Sequence, residues 1–388
     1  MEKRYSELDS LRGIAAFTVL LGHFMLLIPE NNVTNFIEFS PLRIFVASSE
    51  AVTLFFVLSG FVLSLPFYKK NNKISYFPYL FKRFLRIYLP YYASLLLVII
   101  CSSIFYSGEI NQLSLWFNQS WNGNTSVMLL LQHLFLLNNF PNVHFNPVLW
   151  SLVHEMRISI IFPLLMLLIV RKNWIFNILF GIGLTTLGFT LYLLFEKPSH
   201  DFFHTLHYTS IFIIGALLAK HRVYLVEKIK KFPLNMNIFL GLIGLFFYLF
   251  AKPAFALSII FGGRDPFLAT ILDSWFVSIG ASLIILLSFS SKRFSVFLSL
   301  KPMKLLGEIS YSLYLYHCIV LFTFTHILYG KIPIFGIWIL SLLASLVISN
   351  LSYRFIEKKS ILLGRKLTKK TRQQKENTEV PNDNKEII

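Results

Sequence analysis

Residues 10–24 read SLRGIAAFTVLLGHF, and this stretch decides the architecture. It is apolar enough to enter a bilayer, yet it carries Arg12 near its start and His23 near its end. Eleven residues of α-helix turn through about 1100° and rise about 16 Å, so the two side chains fall on nearly one face at two depths. Ionisable groups at membrane depth are costly unless they face a partner or a water-filled cavity. The stretch therefore predicts a first membrane helix whose polar face is turned into a helical bundle.

The composition agrees. Of the 388 residues 55% are hydrophobic, 41 are Phe and only 14% are charged, with a mean hydropathy of +0.63. A soluble globular chain has no use for so much apolar surface. Ten apolar runs have the length needed to cross the hydrocarbon core, near 10–29, 45–66, 85–106, 149–170, 174–195, 205–220, 236–256, 268–290, 308–329 and 333–355. The sixth is short and Pro253 interrupts the seventh. The fold class expected is an all-α integral membrane protein, a bundle of about ten transmembrane helices.

Lys and Arg are retained on the cytoplasmic side of short loops. With the N-terminus inside, alternate segments collect Lys3 and Arg4, then Lys69, Lys70, Lys73, Lys82, Arg83 and Arg86, then Arg171 and Lys172, then the groups 220–231 and 292–304 and the tail from Arg354. The opposite loops hold Arg43, Lys197, Lys252, Arg264 and Lys331, and the stretch from Ser107 to Val148 holds none. Both termini are thus expected in the cytoplasm. The net charge of +17 follows from topology and a basic tail able to lie against anionic lipid, with no need of nucleic acid. Residues 1–357 are expected to form the transmembrane domain and 358–388 a basic, disordered cytoplasmic tail. The two cysteines, Cys101 and Cys318, lie in apolar runs and suggest neither a disulfide framework nor a thiolate metal site.

Depth then sorts the unusual residues. Span four, LWSLVHEMRISIIFP from 149, runs opposite to span one and is expected to place Glu155 at the depth of His23. Ser151, Glu155 and Ser159 share a stripe, with His154 and Arg157 on another face. Span nine adds Gly307, Ser310, Tyr314 and His317 at helical spacing. Polar groups on several spans imply a lined cavity inside the bundle. Before span three, KRFLRIYLPYY sets Arg83 and Arg86 one turn apart among aromatics, in what reads as a hydrophilic loop suited to a phosphate and a stacked base. Ser59 and Gly60 in FFVLSGF suit close helix approach. A saccharide transporter or flippase would also need many spans and buried charges, but it predicts inverted repeats, and the two halves show no such symmetry.

The segments 8–23, 50–63, 82–92, 149–165 and 307–317, in this order, resemble the membrane-bound acyltransferase family 3, the bacterial sugar O-acyltransferase group. The resemblance implies transfer of an acyl group, most often acetyl, from cytoplasmic acyl-CoA to a hydroxyl of a glycan or lipid-linked saccharide at the cell membrane; a small-molecule acceptor is the alternative. It matches the family's Arg and His of the first span to Arg12 and His23, its arginine pair to Arg83 and Arg86, and its glutamate to Glu155. Arg12, Arg83 and Arg86 are then expected to hold acyl-CoA, and His23 to act as general base or transient acyl carrier with Glu155 orienting it. Ser151, His154, Arg157, Tyr314 and His317 are expected to line the acceptor site. No metal is called for.

Overall fold

The computed structural model describes residues 5–69, 74–121, 131–136, 145–195, 200–261 and 265–378. Lys3, Arg4, Lys70, Lys73, Lys197 and Arg264, used above to orient the chain, lie outside them, as do residues 379–388. The described part is helical almost throughout: α1 (Ser6–Leu26), α2 (Asn32–Phe39), α3 (Ser48–Ser64), α4 (Tyr76–Phe105), α5 (Leu115–Asn118), α6 (Leu149–Arg171), α7 (Trp174–Leu194), α8 (His200–Lys230), α9 (Leu234–Leu249), α10 (Pro253–Phe261), α11 (Pro266–Ser290), α12 (Lys292–Leu298), α13 (Lys301–Leu328), α14 (Ile334–Ser352) and α15 (Lys358–Thr378).

Among the described residues eight helices are long and apolar enough to cross a membrane, and nine spans result if the pair α9 and α10, bent by 55° at Pro253, counts as one. The chain is a multi-pass membrane protein. The expected count of ten differs by α1, which Asp9, Arg12 and His23 make too polar to qualify on composition. Packing explains how α1 tolerates them: α3, α12 and α13 surround it, so its polar side chains meet protein instead of lipid. Outward faces of other helices expose Leu96, Ile104, Leu164, Leu179 and Ile339, the apolar surface a bilayer requires.

Glycine contacts set the bundle's centre. A Cβ on Gly13 of α1 would clash with the Gly307 backbone nitrogen of α13, and one on Gly307 would lie 2.5 Å from the Asp9 carbonyl oxygen. The two backbones touch there, and only glycine permits that approach. Gly60 of α3 and Gly215 of α8 make a second such crossing, each packed on the other helix's carbonyls at Phe212 and Val57, as expected for the SG pair of FFVLSGF.

Two expectations are corrected. Arg83 and Arg86 stand not on a loop but within α4, a 30-residue helix, because Arg83 finds a half-buried acidic partner and the turn around it gains backbone hydrogen bonds. The segment from 358, read as disordered, begins as helix α15. Ser360, Gly364 and Thr368 recur at four-residue spacing, and Gly364 rests against Lys82 and Leu85 of α4. Polar composition hid this docking face.

Candidate active site

Helices α1 and α13 run parallel: Gly307 lies beside Gly13 and, ten residues further on each chain segment, His317 lies beside His23. This pairing gives the site two floors.

The first is a partly open cavity lined by Arg12, Val52, Phe55, Phe56, Ser59, Arg83, Arg86, Ile87, Ser151, Leu152, Glu155, Ser310, Tyr311 and Tyr314. Three guanidinium groups and one carboxylate share it. Arg83, 8% exposed, donates to Glu155 at 2.6 Å and to Ser159 Oγ at 3.0 Å. Arg12 and Arg86 have neither a hydrogen bond nor an ion pair among the described residues. The cavity therefore carries excess positive charge on two uncommitted forks, the geometry that recognises phosphate oxygens. The Tyr311 hydroxyl donates to the Ile87 carbonyl at 2.9 Å, tying α13 to α4. The cavity ends at Tyr314, whose hydroxyl lies 2.7 Å from Ser151 Oγ.

The second floor begins one helical turn beyond Tyr314. His23 Nδ1 and His317 Nε2 are 2.7 Å apart, with the rings within 15° of coplanar and 5.0 Å between centroids. These values describe an in-plane hydrogen bond. Trp116 of α5 lies parallel to the His23 ring at 5.1 Å, and α5 is held over the end of α1 by Ser114, which hydrogen-bonds the Leu26 and Leu27 carbonyls. The Tyr314 and His317 rings are 6.1 Å apart, so one aromatic side chain separates cavity from imidazole pair. The described nitrogen and sulfur atoms of His23, His317 and Cys318 lie within 4.8 Å of one another, a donor set that suits a soft metal. Two imidazoles on one zinc ion, however, need nitrogens about 3.3 Å apart for bonds of about 2.1 Å. The spacing found is that of a shared proton.

The expected residues are thus redistributed. Arg12, Arg83, Arg86, Ser151, Glu155 and Tyr314 meet in the cavity, and His23 meets His317. Glu155 does not orient His23; it is bound to Arg83. The expected match in depth fails because α6 starts inside the bundle: Asn146 donates to the Leu315 carbonyl and Tyr314 reaches Val148. Six residues further, Glu155 is nearer the Arg12 end. His154 and Arg157 also leave the site. His154 Nδ1 and Arg157 Nη1 lie 2.9 Å and 3.1 Å from Thr205 Oγ1 on α8, and the Arg157 guanidinium covers the Phe202 ring. Tyr311 and Trp116 were not anticipated. Tyr311 follows Ser310 of the polar stripe in GEISYSLYLYH, but Trp116 stands in the four-residue helix α5, too short for periodicity to reveal its direction.

The acyltransferase 3 family model, described as an acyltransferase domain, matches residues 5–354. The chain belongs to that family. Curated relatives agree: it is 26% identical over 328 residues to the O-acetyltransferase OatA of Staphylococcus aureus (strain NCTC 8325 / PS 47), covering 79% of this chain and 51% of the relative. It is 26% identical over 379 residues to the peptidoglycan O-acetyltransferase OatA of Listeria monocytogenes serovar 1/2a, covering 92% and 55% respectively. A putative O-acetyltransferase of Staphylococcus aureus (strain COL) is 28% identical over 240 residues, 57% of this chain and 37% of that protein. The chain spans about half the length of the OatA relatives it matches. No solved structure matches it. Family membership makes both floors parts of an acyltransferase domain, to which an acyl donor is implied.

Proposed function

We propose that the protein is a membrane O-acetyltransferase that passes an acetyl group from cytoplasmic acetyl-CoA to a hydroxyl of a cell-surface or lipid-linked saccharide, with both termini in the cytoplasm of a bacterial cell. The observation that carries this reading is a cavity holding Arg12, Arg83 and Arg86 one aromatic side chain away from a hydrogen-bonded imidazole pair.

The uncommitted Arg12 and Arg86 bind the CoA phosphates. Arg83, anchored by Glu155, keeps the wall of the cavity and adds charge. The pantetheine arm runs toward His23, about 16 Å along α1 from Arg12, and the thioester passes Tyr314. The acceptor hydroxyl arrives from the opposite side, near Trp116. Its oxygen bonds to the thioester carbonyl carbon as His23 takes its proton. The carbon–sulfur bond then breaks, and the CoA sulfur leaves with the proton that His23 held. Acetylation of His23 itself, followed by transfer, uses the same groups. Neither substrate crosses the membrane completely.

Mass spectrometry of surface saccharides from cells with and without the protein tests this function. Loss of an O-acetyl group on deletion is expected, and identical O-acyl content in the two would overturn it. The donor site has its own test. Arg86→Gln is expected to weaken CoA binding by about 10- to 150-fold, from loss of one charge-assisted contact worth roughly 1.5–3 kcal/mol, and to flatten its salt dependence. Titration calorimetry on purified protein reads both; unchanged affinity would remove Arg86 from the donor site.

A further inference from the structure

We infer that His317 is a positioning residue for the transfer reaction: it fixes the tautomer of His23 so that Nε2, and not Nδ1, is the proton-accepting nitrogen. The inference rests on the proposed role of His23 and specifies which atom performs it.

Donors and acceptors decide the direction of the hydrogen bond between the two rings. His317 Nδ1 is 2.8 Å from the Leu313 carbonyl oxygen, which only accepts, so Nδ1 of His317 carries a hydrogen. In a neutral imidazole the other nitrogen is then a bare acceptor. His317 Nε2, 2.7 Å from His23 Nδ1, must accept, so His23 Nδ1 donates. Cys318 Sγ, 3.5 Å from the same nitrogen, is a weak acceptor on the same side. The neutral His23 is left with its lone pair on Nε2, facing away from His317. A backbone carbonyl thus sets a hydrogen-bond direction that passes through two rings, as a buried carboxylate sets it through one in a serine-protease triad.

The surroundings hold this arrangement. His317 is fully buried, its helix touches α1 backbone to backbone at Gly13 and Gly307, and Trp116 covers one face of His23. When Nε2 accepts the substrate proton, the Nδ1 hydrogen remains directed at a lone pair, so the imidazolium is stabilised without a permanent negative charge. No carboxylate contacts His23 among the described residues. Glu155, the expected orienting acid, is committed to Arg83, and an imidazole fills that place.

The test compares His317→Gln, His317→Leu and His23→Gln in purified full-length protein, measuring kcat and KM for labelled acetyl transfer together with CoA affinity. Glutamine offers an oxygen where Nε2 stood and leucine offers none. His317→Leu is expected to lower kcat about 100-fold with KM for acetyl-CoA and CoA affinity within twofold. His317→Gln is expected to recover at least tenfold of that loss. A leucine variant retaining half the wild-type kcat, or a glutamine variant as inactive as leucine with CoA binding intact, would overturn the inference. If His23→Gln stays active, the role of His23 itself fails, which separates that failure from this one.

Discussion

His23→Ala is expected to lower kcat for acetyl transfer by about 10³-fold while CoA affinity stays within twofold of wild type. A positioned general base contributes about 10²–10⁴-fold, and His23 meets the geometric conditions for one. It has an orienting partner at 2.7 Å, an aromatic cover and no acidic group competing for its proton among the described residues. The donor-binding arginines lie on the other floor, about three turns of α1 away, so truncating the imidazole leaves the cavity intact. Single-turnover assays with labelled acetyl-CoA in proteoliposomes, with a saccharide acceptor on the far side, measure the effect. Activity within tenfold of wild type would remove His23 from the chemistry.

Arg83→Met is expected to destabilise the fold by about 1.5–3 kcal/mol, from loss of hydrogen bonds to a charged group. Glu155, with its side chain 22% exposed, would lose its hydrogen-bonded partner while Arg12 and Arg86 remain in the same cavity. The double variant Arg83→Met with Glu155→Leu is expected to regain part of the loss, because the carboxylate that lost its hydrogen-bonded partner is removed with it. Chemical denaturation in detergent, followed by tryptophan fluorescence, separates the two outcomes. Equal stability of the single and double variants would show that the pair does not hold α4 to α6.

What could be read from the sequence follows from what helical periodicity encodes. Spacing within one helix gives the angle between side chains, so the common inward direction of Arg12 and His23 and the stripe Gly307, Ser310, Tyr314 and His317 were legible, and both stripes do face the interior. Spacing says nothing about how far one helix is shifted along its neighbour. The expected pairing of His23 with Glu155 failed on that shift, because α6 begins beside Leu315 and Tyr314 instead of at the membrane surface. The contact between His23 and His317, 294 residues apart, depends on the Gly13–Gly307 crossing, which neither local motif states. His154 and Arg157 looked like site residues by their chemistry, yet Thr205 on α8 satisfies them. Composition misled at the end of the domain: α15 seemed disordered, although Ser360, Gly364 and Thr368 recur on one buried face and Gly364 rests against α4.

The central claim is that the arginine cavity and the imidazole pair serve one donor molecule. An electron cryomicroscopy map of the protein with bound CoA tests it most directly. The account expects phosphate density against Arg12 and Arg86, the Tyr314 side chain displaced, and the CoA sulfur within about 4 Å of the His23 ring, close to the 3–3.5 Å separation of a reactive complex. CoA bound elsewhere, or bound in the cavity with its sulfur pointing away from His23 behind an unmoved Tyr314, would contradict it.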